Sequence, residues 1–397
     1  MISDDAAERL KQASWLRRPE TQRVFALLDG AKGKTRAVGG IVRDTLLDRV
    51  RDAGEIDFAT ELKPDEVMRR AGAAGVPVYP TGIEHGTVTL KVGELIAEVT
   101  TLRQDVETDG RHARVKFGKN WTRDAERRDF TLNALYAGSD GALFDPLGGA
   151  ADCLAGVVRF IGDADQRIAE DRLRVYRFFR FSASHGQEKL DAAGLDAVTR
   201  AAGTLGDLSA ERVGSEMRRM LDLPRVSNTI VAMVKAGILD FPPTPVEWLQ
   251  SYERHAHSPN LNGRFALLIA DLGRAVLKER WRLSNDDIST AERTLAAARL
   301  LIEFHINEAA YRYPAALSDA VEVAAVLAGW TEAGKAVVVQ KLEAIDVPVF
   351  PLSGDDLVRK GMAPGPRLGA ELDRLEKFWI DANFGPSREQ LLRLLKL

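Results

Sequence analysis

The chain of 397 residues has little of what several protein classes depend on. Its single cysteine, Cys153, excludes a disulfide framework and a zinc site built from cysteines, and it fits a reducing compartment. No apolar run approaches the roughly 18 residues of a membrane span. The N-terminal sequence is acidic and then mixed, without the apolar core of a signal peptide. We therefore expect a cytoplasmic protein with no part in the membrane.

The net charge of −3 does not by itself indicate a nucleic-acid-binding protein, although a local basic groove can be hidden in such a total. The length favours two to four domains. Strand and helix patterns alternate in the first 150 residues and predict one mixed sheet with helices packed on it. Residues 103–120 are polar with little periodicity and predict a long loop, hinged at Gly110 and Gly118. Beyond residue 150 the strand signals almost vanish, which predicts a helical remainder.

Two acids stand one residue apart in "EIDFAT", which has the pattern of a strand. Side chains at i and i+2 of a strand share a face, so Glu55 and Asp57 are expected side by side. Two adjacent carboxylates repel each other, and a divalent cation relieves that repulsion. Oxygen-only ligands favour magnesium or manganese. The alternative is a solvated strand end with two unrelated acids.

A pair of glycines precedes the helix pattern in "VGGIVRD". Gly39 and Gly40 would allow backbone amides to approach a phosphate, and Arg43, one turn later, could contact the same phosphate. The alternative is an ordinary turn from strand to helix, with Arg43 paired to Asp44 or Asp48.

Arginines recur in two further segments. In "RRDFTLNALY" the polar residues Arg127, Arg128, Asp129 and Asn133 gather near a predicted helix start. The alternative is helix-start chemistry alone, with Asp129 as the cap, but it does not explain Arg127 and Arg128, which need an anionic partner. In "EDRLRVYRFFRF" the three-residue spacing predicts that Asp171 and Arg174 are neighbours on one helix, followed by Arg177 and Arg180. The alternative for this second segment is a helix of surface ion pairs. Its crowded aromatic residues argue against that alternative, because they predict that much of the helix is buried.

These motifs, with "FDPLGG" and "LSAERVGSEM", resemble in order and spacing the class II tRNA nucleotidyltransferases. That family, within the polymerase-beta-like superfamily, includes CCA-adding enzymes and bacterial poly(A) polymerases. The resemblance runs from about residue 36 to 220 and implies an α+β fold, in which an all-helical remainder follows a nucleotidyltransferase head with a mixed sheet. The implied parts are a catalytic head (1–150), a nucleotide-selecting neck (151–225), a body (226–330) and a tRNA-binding tail (331–397).

The resemblance also implies roles for individual residues. Glu55 and Asp57 would be the catalytic carboxylates that bind Mg²⁺, and Glu98 is a candidate for a further acid near the metal. The nucleotide-binding residues would be Gly40, Arg43, Arg128, Asp171, Arg174, Arg177 and Arg180. The implied reaction adds C, C and A to the 3′ end of tRNA from CTP and ATP.

Two departures from the family pattern and two alternative functions qualify the resemblance. Glu55 stands where the family usually has aspartate, and the six histidines are scattered, which argues against an additional metal-dependent phosphohydrolase domain. Poly(A) addition and partial CC or A addition use the same chemistry and stay open as alternatives. A non-catalytic RNA-binding relative is an alternative of a different class. The loop at 103–120 favours full CCA addition, because one pocket that serves two bases needs a moving element.

Overall fold

The computed structural model describes residues 4–50, 54–105 and 115–396. The chain divides into two units. Residues 1–208 and 235–238 form the first unit, and residues 209–234 and 239–397 form the second. The predicted boundaries at residues 150, 225 and 330 stay a prediction.

The first unit contains nine strands and ten α-helices among its described residues. The strands are β1 (Thr35–Val38), β2 (Glu55–Thr60), β3 (Val78–Gly82), β4 (Thr87–Val92), β5 (Leu95–Thr101), β6 (Arg103–Asp105), β7 (Val115–Phe117), β8 (Tyr136–Ala137) and β9 (Leu143–Phe144). The helices are α1 (Asp4–Gln12), α2 (Ser14–Arg17), α3 (Pro19–Leu27), α4 (Gly40–Leu46), α5 (Pro64–Ala73), α6 (Trp121–Glu126), α7 (Gly149–Ala155), α8 (Ala164–Glu170), α9 (Arg174–Ser184) and α10 (Ala192–Ala201).

Seven strands form one sheet in the order β3-β4-β5-β2-β1-β8-β9. Strands β2 and β5 are parallel, and the other neighbours in this sheet are antiparallel. The sheet is therefore mixed, as predicted. Strands β4 and β5 form a hairpin, with Val92 opposite Leu95.

Strands β6 and β7 pair antiparallel within the segment predicted as a loop. The prediction was wrong at both ends of that segment. Its centre, with Gly110 and the proposed hinge there, lies outside the described residues.

The two faces of the sheet have different environments. One face is buried under helices, where the rings of Phe58 on β2 and Phe25 on α3 pack edge to face at 5.3 Å. On the other face, Trp121 of α6 packs over β1 and β8 with Val38 and Tyr136. The same face stays open to solvent farther along β2, where Asp57 is exposed. The sheet therefore presents a solvent-accessible surface beside a packed one.

A close backbone contact joins α7 to a single 3₁₀ turn, Thr131–Asn133. Gly149 begins α7, and a Cβ atom at this position would overlap the carbonyl oxygen of Thr131. The side chain of Asp145 accepts hydrogen bonds from the amides of Gly149 (2.8 Å) and Ala150 (3.0 Å). The second glycine of the "FDPLGG" motif is therefore required for packing.

The described part of the second unit is helical. Its helices are α11 (Ala210–Leu221), α12 (Ser227–Lys235, whose last residue belongs to the first unit), α13 (Pro243–His255), α14 (Leu261–Leu272), α15 (Arg274–Trp281), α16 (Asn285–Ile302), α17 (Ile306–Arg312), α18 (Leu317–Ala328), α19 (Glu332–Glu343), α20 (Gly354–Arg359), α21 (Pro366–Asp381) and α22 (Arg388–Arg393). Leu357, Leu375, Trp379 and Leu391 form an apolar core near the C-terminus. Among the described helices, none is long and apolar enough to cross a membrane.

Candidate active site

Three carboxylates lie on the open face of the sheet. Glu55 and Asp57 alternate with the buried Ile56 on β2, so both point to the same side as predicted. Glu98 on β5 lies directly opposite Asp57 in the parallel pair. Its partial exposure and its position identify it as a third acid of this face.

The pKa values of Asp57 and Glu98 are raised, in part by the neighbouring carboxylates. Asp57 is exposed on this face, but the protein around it displaces part of the water near its carboxylate and raises its pKa. The charge of Glu55 raises this pKa further, against the attraction of Arg128. Burial raises the pKa of Glu98, with Asp57 and Glu55 adding to the effect. None of the three carboxylates forms an ion pair with another described side chain. Such a set fits a divalent cation, which would remove the repulsion.

Another trio with metal-ligand spacing, His305, Glu308 and Asp381, lies in the second unit. Glu308 already pairs with Arg312 at 2.9 Å and Lys377 at 3.3 Å. These contacts assign the trio to a surface ion-pair network.

The glycine pair makes the predicted turn from β1 into α4. Gly39 has φ +73° and ψ −123°, a conformation that favours glycine, and its amide donates to the carbonyl of Leu135 at 3.0 Å. Gly40 begins the helix, and a Cβ atom there would lie 3.7 Å from Nη2 of Arg43. The guanidinium of Arg43 therefore lies against the start of α4.

Arg43 is buried and held by two side chains. Its Nε and Nη2 donate to the two carboxylate oxygens of Asp44 at 2.8 and 3.1 Å, which is the alternative pairing considered from the sequence. Its Nη1 donates to Oδ1 of Asn133 at 2.6 Å. Asp44 also bonds to His185 through Nε2 at 3.1 Å. Three of the five N–H groups of the Arg43 guanidinium are thereby used, which leaves two for an anion.

The arginine pair after α6 has its anionic partner inside the protein. Asp124, almost fully buried, bonds to Arg127 at 2.6 Å and to Arg128 at 3.3 Å. Tyr136 donates to the same carboxylate at 2.9 Å and accepts from Nε of Arg128 at 3.1 Å. The sequence correctly predicted that these cations need an anion, but it did not identify Asp124.

Asp129 does not cap an α-helix, because the chain continues into the 3₁₀ turn and then β8; the predicted helix start was wrong. Its Oδ1 accepts from the amide of Phe130 at 2.8 Å and from Nδ2 of Asn133 at 3.0 Å. Its Oδ2 accepts from Nε of Arg177 at 2.8 Å. A continuous chain of hydrogen bonds therefore runs from Arg43 through Asn133 and Asp129 to Arg177.

The predicted selecting residues lie at a break between two helices. Asp171 follows α8 and precedes α9, so the prediction that Asp171 and Arg174 share one helix was wrong. Asp171 Oδ1 accepts from the amide of Leu173 at 3.1 Å, a bond that stabilises the break. Arg174 donates to the carbonyl oxygen of Arg167 at 2.8 Å and to Glu170 at 2.8 Å.

Three guanidinium groups surround one aromatic ring. The Cζ atoms of Arg43 and Arg177 lie 5.2 Å from the ring centroid of Phe181, and that of Arg180 lies 4.2 Å from it. The ring face attracts each of these cations, and three guanidinium groups around one side chain suit an anion of several charges.

The structure thus brings Arg43, Arg177 and Arg180 together. The positive charge of Arg128 acts on Asp57 and partly offsets the rise of its pKa. The hydrogen bonds described for Asp171 and Arg174 go to Leu173, Arg167 and Glu170. Sequence reasoning did not assign roles to Asn133 and Phe181. Both residues lie in motifs described above, "RRDFTLNALY" and "EDRLRVYRFFRF". Their contacts, however, are made with residues far away in the sequence, which a local pattern does not reveal.

The chain is similar to known proteins over nearly all of its length. Residues 35–159 match the Poly A polymerase head domain. The CCA tRNA nucleotidyltransferase 1, mitochondrial, of Danio rerio is 33% identical over 91% of this chain and 86% of the relative. The relative of the same name from Homo sapiens is 31% identical over 96% of this chain and 92% of its own length. The chain belongs to the CCA tRNA nucleotidyltransferase family.

Solved structures of CCA-adding enzymes have the same fold as this family member. The Bacillus stearothermophilus CCA-adding enzyme, in complex with CTP, matches with a TM-score of 0.73 and 26% identity over 92% of this chain and 94% of that one. The Thermotoga maritima CCA-adding enzyme complexed with tRNA matches in fold with a TM-score of 0.66 at 18% identity. The predicted family and the α+β fold with a helical remainder are confirmed, and the protein is an enzyme of the nucleotidyltransferase type.

Proposed function

We propose that this enzyme adds C, C and A to the 3′ end of tRNA, using CTP and ATP as substrates. The observation that carries the proposal is the carboxylate face of Glu55 and Asp57 in the same unit as the arginine cluster around Phe181. The first suits the reacting phosphate, and the second suits a nucleoside triphosphate. The names of the relatives, and the CTP and tRNA complexes of the solved structures, support the choice of substrates.

The carboxylates would hold Mg²⁺, and their donor set fits it. Glu55 and Asp57 offer only oxygen atoms, and Glu98 adds a third acid on the neighbouring strand. When bound, divalent ions activate a hydroxyl and neutralise the charge of a leaving pyrophosphate. The longer side chain of Glu55 keeps the charge that this requires.

The chain's own residues orient the triphosphate. The amide of Gly40 and the two remaining N–H groups of Arg43 would contact phosphate oxygens, with Arg128 nearer to Asp57. Arg177 and Arg180 add positive charge from α9. The Asn133–Asp129 link keeps Arg43 and Arg177 in a fixed relation, so the phosphates are positioned without a reorganisation of the site.

Base choice would depend on Asp171 and Arg174. A carboxylate only accepts hydrogen bonds and a guanidinium only donates them. Cytosine and adenine each place an amino donor beside a ring acceptor and satisfy both residues. Uracil and guanine would place a carbonyl against Asp171. To bind the base, Arg174 would have to release its hydrogen bonds to Arg167 and Glu170. The choice of base is therefore linked to the conformation of the helix break at Asp171.

The remaining assignments follow from the same proposal. The head, neck, body and tail would divide the tasks as predicted from the sequence, with residues 331–397 contacting tRNA. We place the enzyme in the cytoplasm, whereas three animal relatives are named mitochondrial. A fluorescent fusion expressed in the native host tests the compartment.

Incorporation of single labelled nucleotides tests the function. Purified enzyme is given tRNAs that lack CCA, CA or A, with Mg²⁺ and one of the four labelled nucleotides, and the products are sequenced. We expect C on the first two substrates, A on the third and no U or G. An Asp57→Asn variant is the inactive control. A long A tract, a product that ends after CC, or no product from any tRNA would each refute CCA addition.

A further inference from the structure

An exposed tyrosine lies in line with the active-site carboxylates across the sheet. Tyr79 on β3 is directly opposite Thr89 on β4, Thr89 is opposite Glu98 on β5, and Glu98 is opposite Asp57 on β2. Residues that pair across neighbouring strands share a face, so these four form one row, here called the carboxylate row. Three strand spacings separate its ends by about 14 Å.

Hydroxyl contacts confirm which face these strands present. Thr81 and Thr89 lie 2.7 Å apart through their hydroxyl oxygens, and Thr87 and Thr100 lie 2.9 Å apart. The alternate residues of the same strands, such as Leu90, are buried on the opposite face. Tyr79 itself is 50% exposed, so its ring is accessible from solvent.

The in-line geometry of the reaction indicates which substrate approaches the carboxylates from the side of Tyr79. Strand order places Gly40 and Arg43, at the end of β1, on one side of the carboxylates, and β4 and β3 on the other. In phosphoryl transfer the attacking and leaving oxygens are roughly in line across the phosphorus atom. If the pyrophosphate leaves on the β1 side, the RNA hydroxyl arrives from the side of β4 and β3.

We infer that Tyr79 is a stacking platform for the single-stranded 3′ end of the RNA, just upstream of the reacting nucleotide. This inference rests on the proposed function. Aromatic side chains bind single-stranded nucleic acid by stacking on any base, so such a platform accepts an end that changes with each addition. Lys91, exposed two residues beyond Thr89 on the same face, supplies positive charge for the RNA backbone.

Fluorescence and kinetics together test the platform. A tRNA that ends in CC carries 2-aminopurine in turn at each of its last three positions and is mixed with enzyme without nucleotide. We expect quenching at one of these positions with the wild type and with Tyr79→Phe, and loss of that quenching with Tyr79→Ala. Tyr79→Ala should also raise the KM for tRNA at least about fivefold, the effect of one lost stacked base. Its KM for ATP should stay within twofold.

Two further variants sharpen the result. Phe304→Ala removes an aromatic side chain that is 64% exposed in the second unit and should behave as the wild type. Lys91→Gln should reduce the slope of log affinity against log salt by about one. A wild-type KM and wild-type quenching in Tyr79→Ala would overturn the inference, as would an unchanged salt slope in Lys91→Gln. If the wild type binds tRNA but adds no nucleotide, the proposed function fails, while the quenching still decides the platform.

Discussion

Replacing Asp129 by asparagine should weaken both the fold and the nucleotide site. The side chain keeps its size but loses the charge that pairs with Arg177 at 2.6 Å. An asparagine NH₂ group also cannot accept the bonds from the Phe130 amide and Asn133 while its oxygen serves Arg177. One or more buried donors are then left without an acceptor.

The expected loss follows from those bonds. Hydrogen bonds to charged groups contribute about 1.5–3 kcal/mol each, and solvent compensates part of this because the Arg177 side chain is 29% exposed. We expect a loss of about 2–3 kcal/mol in the free energy of unfolding, or about 4–12 °C in the melting temperature of the unit. Because Asn133 holds Arg43, the KM for CTP should rise about tenfold.

The pH dependence of this loss has a defined sign. Burial alone would raise the pKa of Asp129, but Arg177, Asn133 and the Phe130 amide hold it below its usual value. A carboxylate with a lowered pKa stabilises the fold above its unfolded pKa of about 3.9 and loses this contribution as the pH falls. The difference between wild type and Asp129→Asn should therefore be full at pH 7 and shrink below about pH 4.

Thermal unfolding by circular dichroism and the KM for CTP measure these effects. The matched control is Asp165→Asn, which removes the same charge from an exposed pair with Arg200 at 2.6 Å and should cost less than about 1 kcal/mol. If Asp129→Asn lowers the melting temperature no more than Asp165→Asn does, the reasoning about the buried network is refuted.

Three further predictions concern single residues. Asp57→Asn should abolish incorporation yet keep or raise the melting temperature, since its raised pKa means that the fold disfavours the charged form; a lower melting temperature would contradict this. Asp171→Ala should admit UTP or GTP by removing the clash of two acceptors, and an unchanged ratio of CTP to UTP incorporation would contradict it. Burial raises the pKa of Cys153 to about 12, so N-ethylmaleimide should label it at pH 8 far more slowly in the native than in the unfolded protein, as followed by mass spectrometry.

The sequence predicted the elements whose signals are local. The alternation of Ile56 and Phe58 with Glu55 and Asp57 predicted strand β2. Periodicity sufficed here because each residue's environment repeats along its own element.

The errors occurred where a distant partner or a local side-chain bond decides the conformation. Asp171 interrupts the helix pattern because its carboxylate bonds the amide of Leu173, a choice that periodicity does not reveal. Aspartate is a common helix cap, but the carboxylate of Asp129 instead accepts a hydrogen bond from Arg177, 48 positions later in the sequence. The residue types of the site were therefore predictable, whereas their pairing was not.

The contact of Gly149 with Thr131 has a consequence for how this chain can evolve. Any single-base change in a glycine codon that alters the amino acid adds at least a Cβ atom, and here that atom meets backbone rather than a flexible side chain. The backbone segment that would have to move is the 3₁₀ turn, which also contains Asn133. The side chain of Asn133 accepts a hydrogen bond from Arg43. Selection against such changes would therefore act through nucleotide binding, although Gly149 itself touches no substrate. In a population survey of variants, this position should be as intolerant as the carboxylates.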